Sequence, residues 1–296
     1  MLRLQTILLL YLLMGVYVRK RNIVTVEARS SFNEFLIRIT LPCMIFSAFH
    51  RDFGLEQLAA ASKMLLISFG VYLFSSLLGG GIYRCIPFER RSVMRYGTLV
   101  SNAGFAGLPQ VQGAYGPLGL FYGSIFLIPL RIFMWSAGIS LFVEADWKTK
   151  MKNVLTNPGM IAVFLGLPRM LLQIPLPAAM DTVIQTVGDC TTPLSMIVIG
   201  MVVADIPIKT VVNKDTLFLS AIRLIVLPVS LLIILKLLHV DPILAGVSVM
   251  LTAMPVGVNT PIIAQKYGGD HVFASKCVLL STALSLITIP LLSIFL

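Results

Sequence analysis

Two short interruptions inside otherwise apolar stretches hold the residues best suited to chemistry. One places Asn102, Gly107, Pro109 and Gln110 in a single segment, Ser101-Asn-Ala-Gly-Phe-Ala-Gly-Leu-Pro109-Gln110. The other places Pro255, Gly257 and Asn259 in Met254-Pro-Val-Gly-Val-Asn259-Thr-Pro261. The chemistry these residue types offer is recognition, not bond-making. A proline removes a backbone donor and clashes with the carbonyl one turn back, so each segment predicts a helix broken into two halves. The half-helix after each break presents N–H groups without intrahelical partners and the positive end of its dipole, which suits a carboxylate. An Asn or Gln amide can donate to the same anion, so Asn102, Gln110 and Asn259 are candidate ligands. The plainer alternatives are a kinked packing helix and, for Asn102, an interhelical hydrogen bond of about 0.6–2 kcal/mol.

Charged residues within apolar stretches need a reason, because a charge at mid-bilayer is expensive. Arg131 follows Pro129 deep in such a stretch. Its planar fork could grip a carboxylate in two places and select a second anionic group, favouring a dicarboxylate. The alternative is an arginine bonded to the carbonyls freed by the breaks. Arg38 and Asp189 each stand four residues before a proline, Pro42 and Pro193. They could pair across the fold, line the substrate path or sit at a subunit interface, and Asp189 is the main intramembrane carboxylate that could carry a coupling proton. Arg169 and Arg223 lie near enough to the ends of their stretches to snorkel.

Other chemistry finds no foothold. No Gly-x-x-x-x-Gly-Lys phosphate loop is present, so ATP is not the expected energy source. No His-Glu-x-x-His occurs, and His50, His239 and His271 fall near the ends of apolar runs. Cys43, Cys85, Cys190 and Cys277 match neither a zinc site nor a redox pair and read as small packing residues. The expectation is a non-enzyme with no cofactor and no metal site.

The elements that must position these residues are membrane spans. The chain of 296 residues is 57% hydrophobic and only 12% charged, with a mean hydropathy of +0.92; a soluble domain carries roughly 25% charged residues. The net charge of +10 does not form a nucleic-acid patch, because the basic residues sit in short loops between apolar runs. Runs of about 20 apolar residues cross the hydrocarbon. Such runs lie near 3–19, 32–50, 58–83, 92–115, 117–143, 155–174, 178–204, 215–238, 242–265 and 270–295, which predicts ten spans in an all-α membrane protein. The first run ends in Arg19-Lys20-Arg21 without a cleavage site and reads as a retained span. The loops after the odd-numbered spans hold most of the basic residues, among them Arg29, Arg84, Arg90, Arg91, Arg95, Lys148, Lys152, Lys209 and Lys214; the opposite side holds Arg3, Arg51, Lys63 and Lys236. The positive-inside rule then puts both termini outside.

An internal repeat is also expected. Gly15 and Gly166, Thr40 and Thr191, and Pro42 and Pro193 stand at one constant offset. Ile128-Pro-Leu and Ile289-Pro-Leu recur in spans 5 and 10. Five spans per half make the repeat an inverted one, with halves 1–150 and 151–296, and a matched pair of broken spans marks its binding site.

At these residues the chain resembles the auxin efflux carrier family, which includes bacterial malate-permease-like members and plant auxin carriers. The family pattern in span 4 is present as Asn102, Gly107-Leu-Pro109 and Tyr115-Gly116, and that in span 9 as Ala253-Met-Pro255 and Tyr267. Leu41-Pro42, Asn157-Pro158, Thr192-Pro193-Leu-Ser-Met196, Gly200 and Pro228 add to the likeness, which covers the whole chain. The resemblance implies a five-plus-five inverted fold, with spans 1, 2, 6 and 7 as a scaffold and spans 3–5 and 8–10 as a moving transport domain whose spans 4 and 9 cross at their prolines. It also implies an elevator-type carrier of a small organic anion, a homodimer through the scaffold and a place in the plasma membrane. Relatives carry a neutral polar residue near Arg131, so the charge there is a departure. Two rivals stand beside this expectation. A sodium-coupled organic-anion symporter of bile-acid-symporter-like architecture would need ligands for sodium at the crossing, where no carboxylate occurs. A membrane-embedded sensor would need an output domain.

Overall fold

The computed structural model describes residues 2–50, 55–143, 146–204 and 211–296. Arg51 and Lys209, counted above as topology markers, lie outside them. The described residues are helical apart from turns and one isolated backbone bridge. In chain order the helices are α1 (Leu2–Lys20), α2 (Val26–Phe35), α3 (Leu41–Ser47), α4 (Leu55–Ile82), α5 (Phe88–Leu99), α6 (Leu108–Phe133), α7 (Trp147–Leu155), α8 (Pro158–Leu171), α9 (Ala178–Asp189), α10 (Thr191–Ala204), α11 (Lys214–Ala221), α12 (Leu227–Leu237), α13 (Pro242–Thr252), α14 (Thr260–Lys266) and α15 (His271–Ser293).

Among the described residues, five helical runs are long and apolar enough to cross a membrane: Ala59–Ile82, Ala103–Leu141, Ala178–Val202, Lys214–Leu237 and His271–Ser293. The pair α7 and α8, bent by 62°, makes a sixth if taken as one span. The expected spans 4 and 9 are broken, as predicted. The stretch predicted as span 4 is cut after Leu99, and the stretch predicted as span 9 is cut after Thr252.

A recurring device houses three of the helical prolines. Leu41-Pro42, Leu108-Pro109 and Leu227-Pro228 each follow a five-residue π turn, Leu36–Thr40, Ala103–Gly107 and Ile222–Val226. In each, the leucine N–H reaches back five residues, to the carbonyl of Leu36, Ala103 or Ile222. The wider turn draws the preceding carbonyls away from the proline ring, so the helix continues where a regular one would break. Gly116, next to Pro117, ends the half-helix that begins at Leu108: its φ of 64° turns the chain, and open space around it shows that conformation, not crowding, demands glycine there.

The helices pack mainly within two groups. In one, α1 lies along α10, and α3 packs on α8 and α9. In the other, α4, α5 and α6 pack with α11 to α15. Two glycines set the closest approach in the first group: Gly15 of α1 and Gly200 of α10 face each other backbone to backbone. Such small residues are what lets membrane helices touch. Cys277 is buried and Cys43 partly so, but Cys85 and Cys190 are exposed, so packing accounts for only half of the cysteines.

The first group also holds a part-buried polar cluster built around one buried cation. Arg169 does not snorkel. Its guanidinium, 7% exposed, donates to Asp181 at 2.7 Å and to Nδ1 of His50, and lies over the Phe46 ring. Three helices are tied by one cation. Breaking a buried pair strands its partner at a cost of about 3 kcal/mol or more. Arg169→Gln should accordingly lower the thermal unfolding midpoint of the purified protein by several degrees; a melt matching wild type would show that the cluster carries no stability.

Candidate functional site

The two broken segments meet. After Leu99 the chain leaves the helix, and Val100 takes an extended conformation. Ser101 pairs antiparallel with Val256 across the crossing. The N–H of Asn102 donates to the carbonyl of Pro255 at 2.8 Å, and the N–H of Gly257 donates to that of Val100 at 3.0 Å. Backbone that would be orphaned in a lone broken helix is thus satisfied by the other break. The Val256 N–H, freed in the same way, donates to Oγ of Ser281 on α15 at 3.1 Å.

This geometry corrects one expectation. Span 4 breaks at Val100–Asn102, two turns before Pro109, while span 9 breaks at Pro255 as expected. Pro109 lies inside a continuous helix because the π turn over Ala103–Gly107 absorbs it. Gly107 still serves the crossing: a Cβ there would lie 2.6 Å from a Leu251 methyl and 3.1 Å from Met254 Cγ, so a larger residue would have to push side chains of the second segment aside. A Cβ on Gly257 would lie 3.2 Å from a Val100 methyl, a tight but milder fit.

The side chains at the crossing are buried and underused. Asn102 is 2% exposed and holds the N-cap position of the π turn, yet its side chain caps nothing, and its Nδ2 has no partner. Ser101 Oγ, Thr252 Oγ1 and Asn259 Oδ1 are buried and unpartnered too. Asn259 precedes α14 without capping it. Gln110 donates to the Met254 sulfur at 3.6 Å, while its Oε1 is left without a partner. Native interiors leave few polar groups unpaired, so a cluster of them at one place calls for an explanation.

Two cavities flank the crossing, both where the two helix groups meet. One, of about 410 Å³, is lined by Arg29, Asn33 and Ser195 from one group and by Phe105, Val258 and Pro261 from the other. The second, of about 230 Å³, lies between Met196 and Ile199 on one side and Gln110, Pro255, Thr282 and Ser285 on the other. Among the described residues no cluster of three or more His, Cys, Asp and Glu side chains is placed to hold a metal.

The remaining candidates lie elsewhere. Arg131 is buried, but it lines neither cavity, and its guanidinium packs against Gly159 at the start of α8. It does not hold the carbonyls freed by the breaks either. Arg38 does not pair with Asp189: it bonds Glu34, one turn back on its own helix, at 2.8 Å, and both side chains are largely exposed. Asp189 is exposed at the end of α9.

The residue that sequence reasoning missed is Arg223. It is 1% exposed and points into the crossing instead of snorkelling. Its Nε donates to the Met254 carbonyl at 3.0 Å, Nη1 to that of Thr98 at 2.9 Å and Nη2 to that of Thr252 at 2.8 Å. The available signal was its position. The offset that aligns Thr40 with Thr191 also aligns Tyr72 with Arg223, and Tyr72 is likewise buried, within electrostatic reach of Arg223.

A family model described as membrane transport protein matches the chain twice, over residues 4–153 and 147–293. An uncharacterized transporter of Methanothermobacter thermautotrophicus is 25% identical over 295 residues, covering 97% of this chain and 96% of the relative. A candidate malonate transporter of Rhizobium meliloti is 24% identical over 288 residues, covering 89% and 85%. An uncharacterized transporter of Methanocaldococcus jannaschii is 23% identical over 298 residues, covering 96% and 95%. The chain is therefore a multi-pass membrane transporter and not an enzyme, and it belongs to the membrane transport protein family, the auxin efflux carrier family that its broken spans resemble.

Proposed function

We propose that this transporter carries a small dicarboxylate of malonate's kind, bound at the crossing. The observation that carries the reading is the group of unpartnered polar atoms on Ser101, Asn102 and Asn259, set where two broken spans pair and the first turn of the next helix has no side-chain cap. An anion accepting from the Ser101 hydroxyl and the Asn102 amide nitrogen would give both the partner they lack within the protein. The relative described as a candidate malonate transporter supports the substrate class.

The proposed mechanism is elevator-type alternating access. The group containing α4–α6 and α11–α15 would slide against the scaffold of α1–α3 and α8–α10, moving the crossing between the two flanking cavities. The five-plus-five inverted repeat belongs to the same proposal. It is supported by exchanged partners, since α1 packs on α10 as α8 packs on α3. Both termini would lie outside a plasma membrane. A homodimer through the scaffold would explain why Glu34 and Arg38 pair on an exposed face beside Phe35 and Ile39, where a protein surface suits them better than acyl chains.

Thermal unfolding of the purified protein tests the substrate class. Malonate should raise the midpoint at constant ionic strength, with about 2.7 kcal/mol of stabilisation at a concentration of 100 Kd. Reconstituted vesicles should accumulate labelled malonate, and excess unlabelled dicarboxylate should compete. Failure of every dicarboxylate to stabilise or to enter would overturn the reading, while strict dependence on sodium would favour the symporter mechanism.

A further inference from the structure

We propose that Arg223 is the positioning residue of the crossing: it locks the two broken spans into one body and supplies the fixed positive charge that makes the site prefer dianions. The charge half of this proposal rests on the anion reading above; the locking half does not.

The run Lys214–Leu237 that carries Arg223 contains the most apolar stretch of the five long runs. Arg223 lies roughly 14 Å along it from Lys214, too deep for a charge without purpose. All three kinds of guanidinium nitrogen are used, and all three go to backbone. The accepting carbonyls are those that the breaks deprive of their helical partners. In an unbroken helix the Thr98 carbonyl would accept from the Asn102 N–H, but that N–H goes to Pro255. The Thr252 carbonyl would accept from the Val256 N–H, but that goes to Ser281. One planar fork thus replaces lost helical bonds on both spans at once, which a flexible ammonium does less well.

The electrostatic consequence follows from direction. Thr98 is at the C-terminal end of α5, and Thr252 at that of α13. Both are negative dipole ends, and two of them converging on an anion site would repel the ligand. Arg223 faces both. Among the described residues no carboxylate pairs with it, so its charge is not cancelled by a counter-ion. A guanidinium stays protonated at any working pH, so the site keeps its sign without titrating.

The experiment compares wild type, Arg223→Gln and Arg223→Lys, each purified and monodisperse. Hydrogen exchange over residues 98–104 and 252–259 reads the lock without any ligand. Exchange in Arg223→Gln should be faster by about tenfold or more, since an opening that loses bonds to a charged donor is cheaper by that factor or more. Arg223→Lys should recover part of the protection. Unchanged protection in both variants would overturn the lock. Binding of malonate against its uncharged diamide reads the charge. Malonate affinity should fall about tenfold or more in Arg223→Gln with little change for the diamide, and Arg223→Lys should keep most of the discrimination. Equal loss for both ligands in Arg223→Gln, or no loss of malonate affinity, would overturn the charge role. If Arg223→Gln does not fold, Arg223→Lys decides both halves: protection restored in part with malonate still preferred supports them, and a collapse of the preference overturns the charge role. If wild type binds no dicarboxylate at all, the function proposed above fails and the charge role with it, while hydrogen exchange still rules on the lock.

Discussion

Gly200→Val should leave almost no monodisperse protein after extraction from the membrane. A Cβ at Gly200 would collide with the Leu12 carbonyl oxygen, and one at Gly15 would stand 3.0 Å from the Gly200 Cα. The obstacles are backbone on both sides, so no rotamer change relieves them. The axes of α1 and α10 would have to part along their whole contact, and α10 also forms walls of both cavities beside the crossing. Overpacking typically costs 1–3 kcal/mol where side chains can shift; here about 3 kcal/mol or more is expected, a large fraction of a net stability of about 5–15 kcal/mol. Gly70→Ala is the control, because nothing lies within 4 Å of a Cβ at that site. Size-exclusion profiles and melts of the two variants decide the matter. If Gly200→Val behaves like Gly70→Ala, the close crossing of α1 and α10 is wrong.

The sequence carried the existence of the crossing and most of its residues, because a glycine and a proline inside an apolar run leave few alternatives. Gly107 and Gly257 are legible there as neighbours of the breaks and candidate binding residues; the close approach of the two segments at both glycines is not. The position of the first break was not legible. Pro109 looked like its cause, but the π turn before it removes the clash, and three Leu-Pro steps in this chain use the same device. Nothing in the residue types of Ala103–Gly107 distinguishes a π turn from a break. The outcome depends on Val100 and Asn102 finding the second segment as a hydrogen-bonding partner, a contact between residues far apart in the chain.

The arginines show a second limit. Depth along a span can be estimated from sequence, and by depth Arg131 was the stronger candidate. What decided the matter was direction around the helix axis. Arg131 turns to the surface that meets Gly159, and Arg223 to the one that meets the crossing. The expected partnership of Arg38 and Asp189 failed for a local reason: Glu34 stands one turn before Arg38, where side chains on a helix meet without any long-range geometry.

Asn102→Ala should separate binding from folding. The buried Nδ2 of Asn102 has no partner within the protein, and a donor left unsatisfied costs about 1–3 kcal/mol. Removing it should therefore leave the ligand-free melt unchanged or raise it, since the backbone N–H that bonds Pro255 is kept. Malonate binding should move the other way. A hydrogen bond to a charged group contributes about 1.5–3 kcal/mol, so the loss should be about 10- to 100-fold in affinity. Asn102→Asp should do worse, because a carboxylate at the same place repels the ligand as well as losing the donor. An interhelical role for Asn102 predicts the reverse pattern, a less stable empty protein with unchanged malonate affinity. Titrating malonate against the melts of wild type and both variants distinguishes the two. A destabilised Asn102→Ala that still binds malonate as tightly as wild type would return Asn102 to a packing role and remove it from the substrate site.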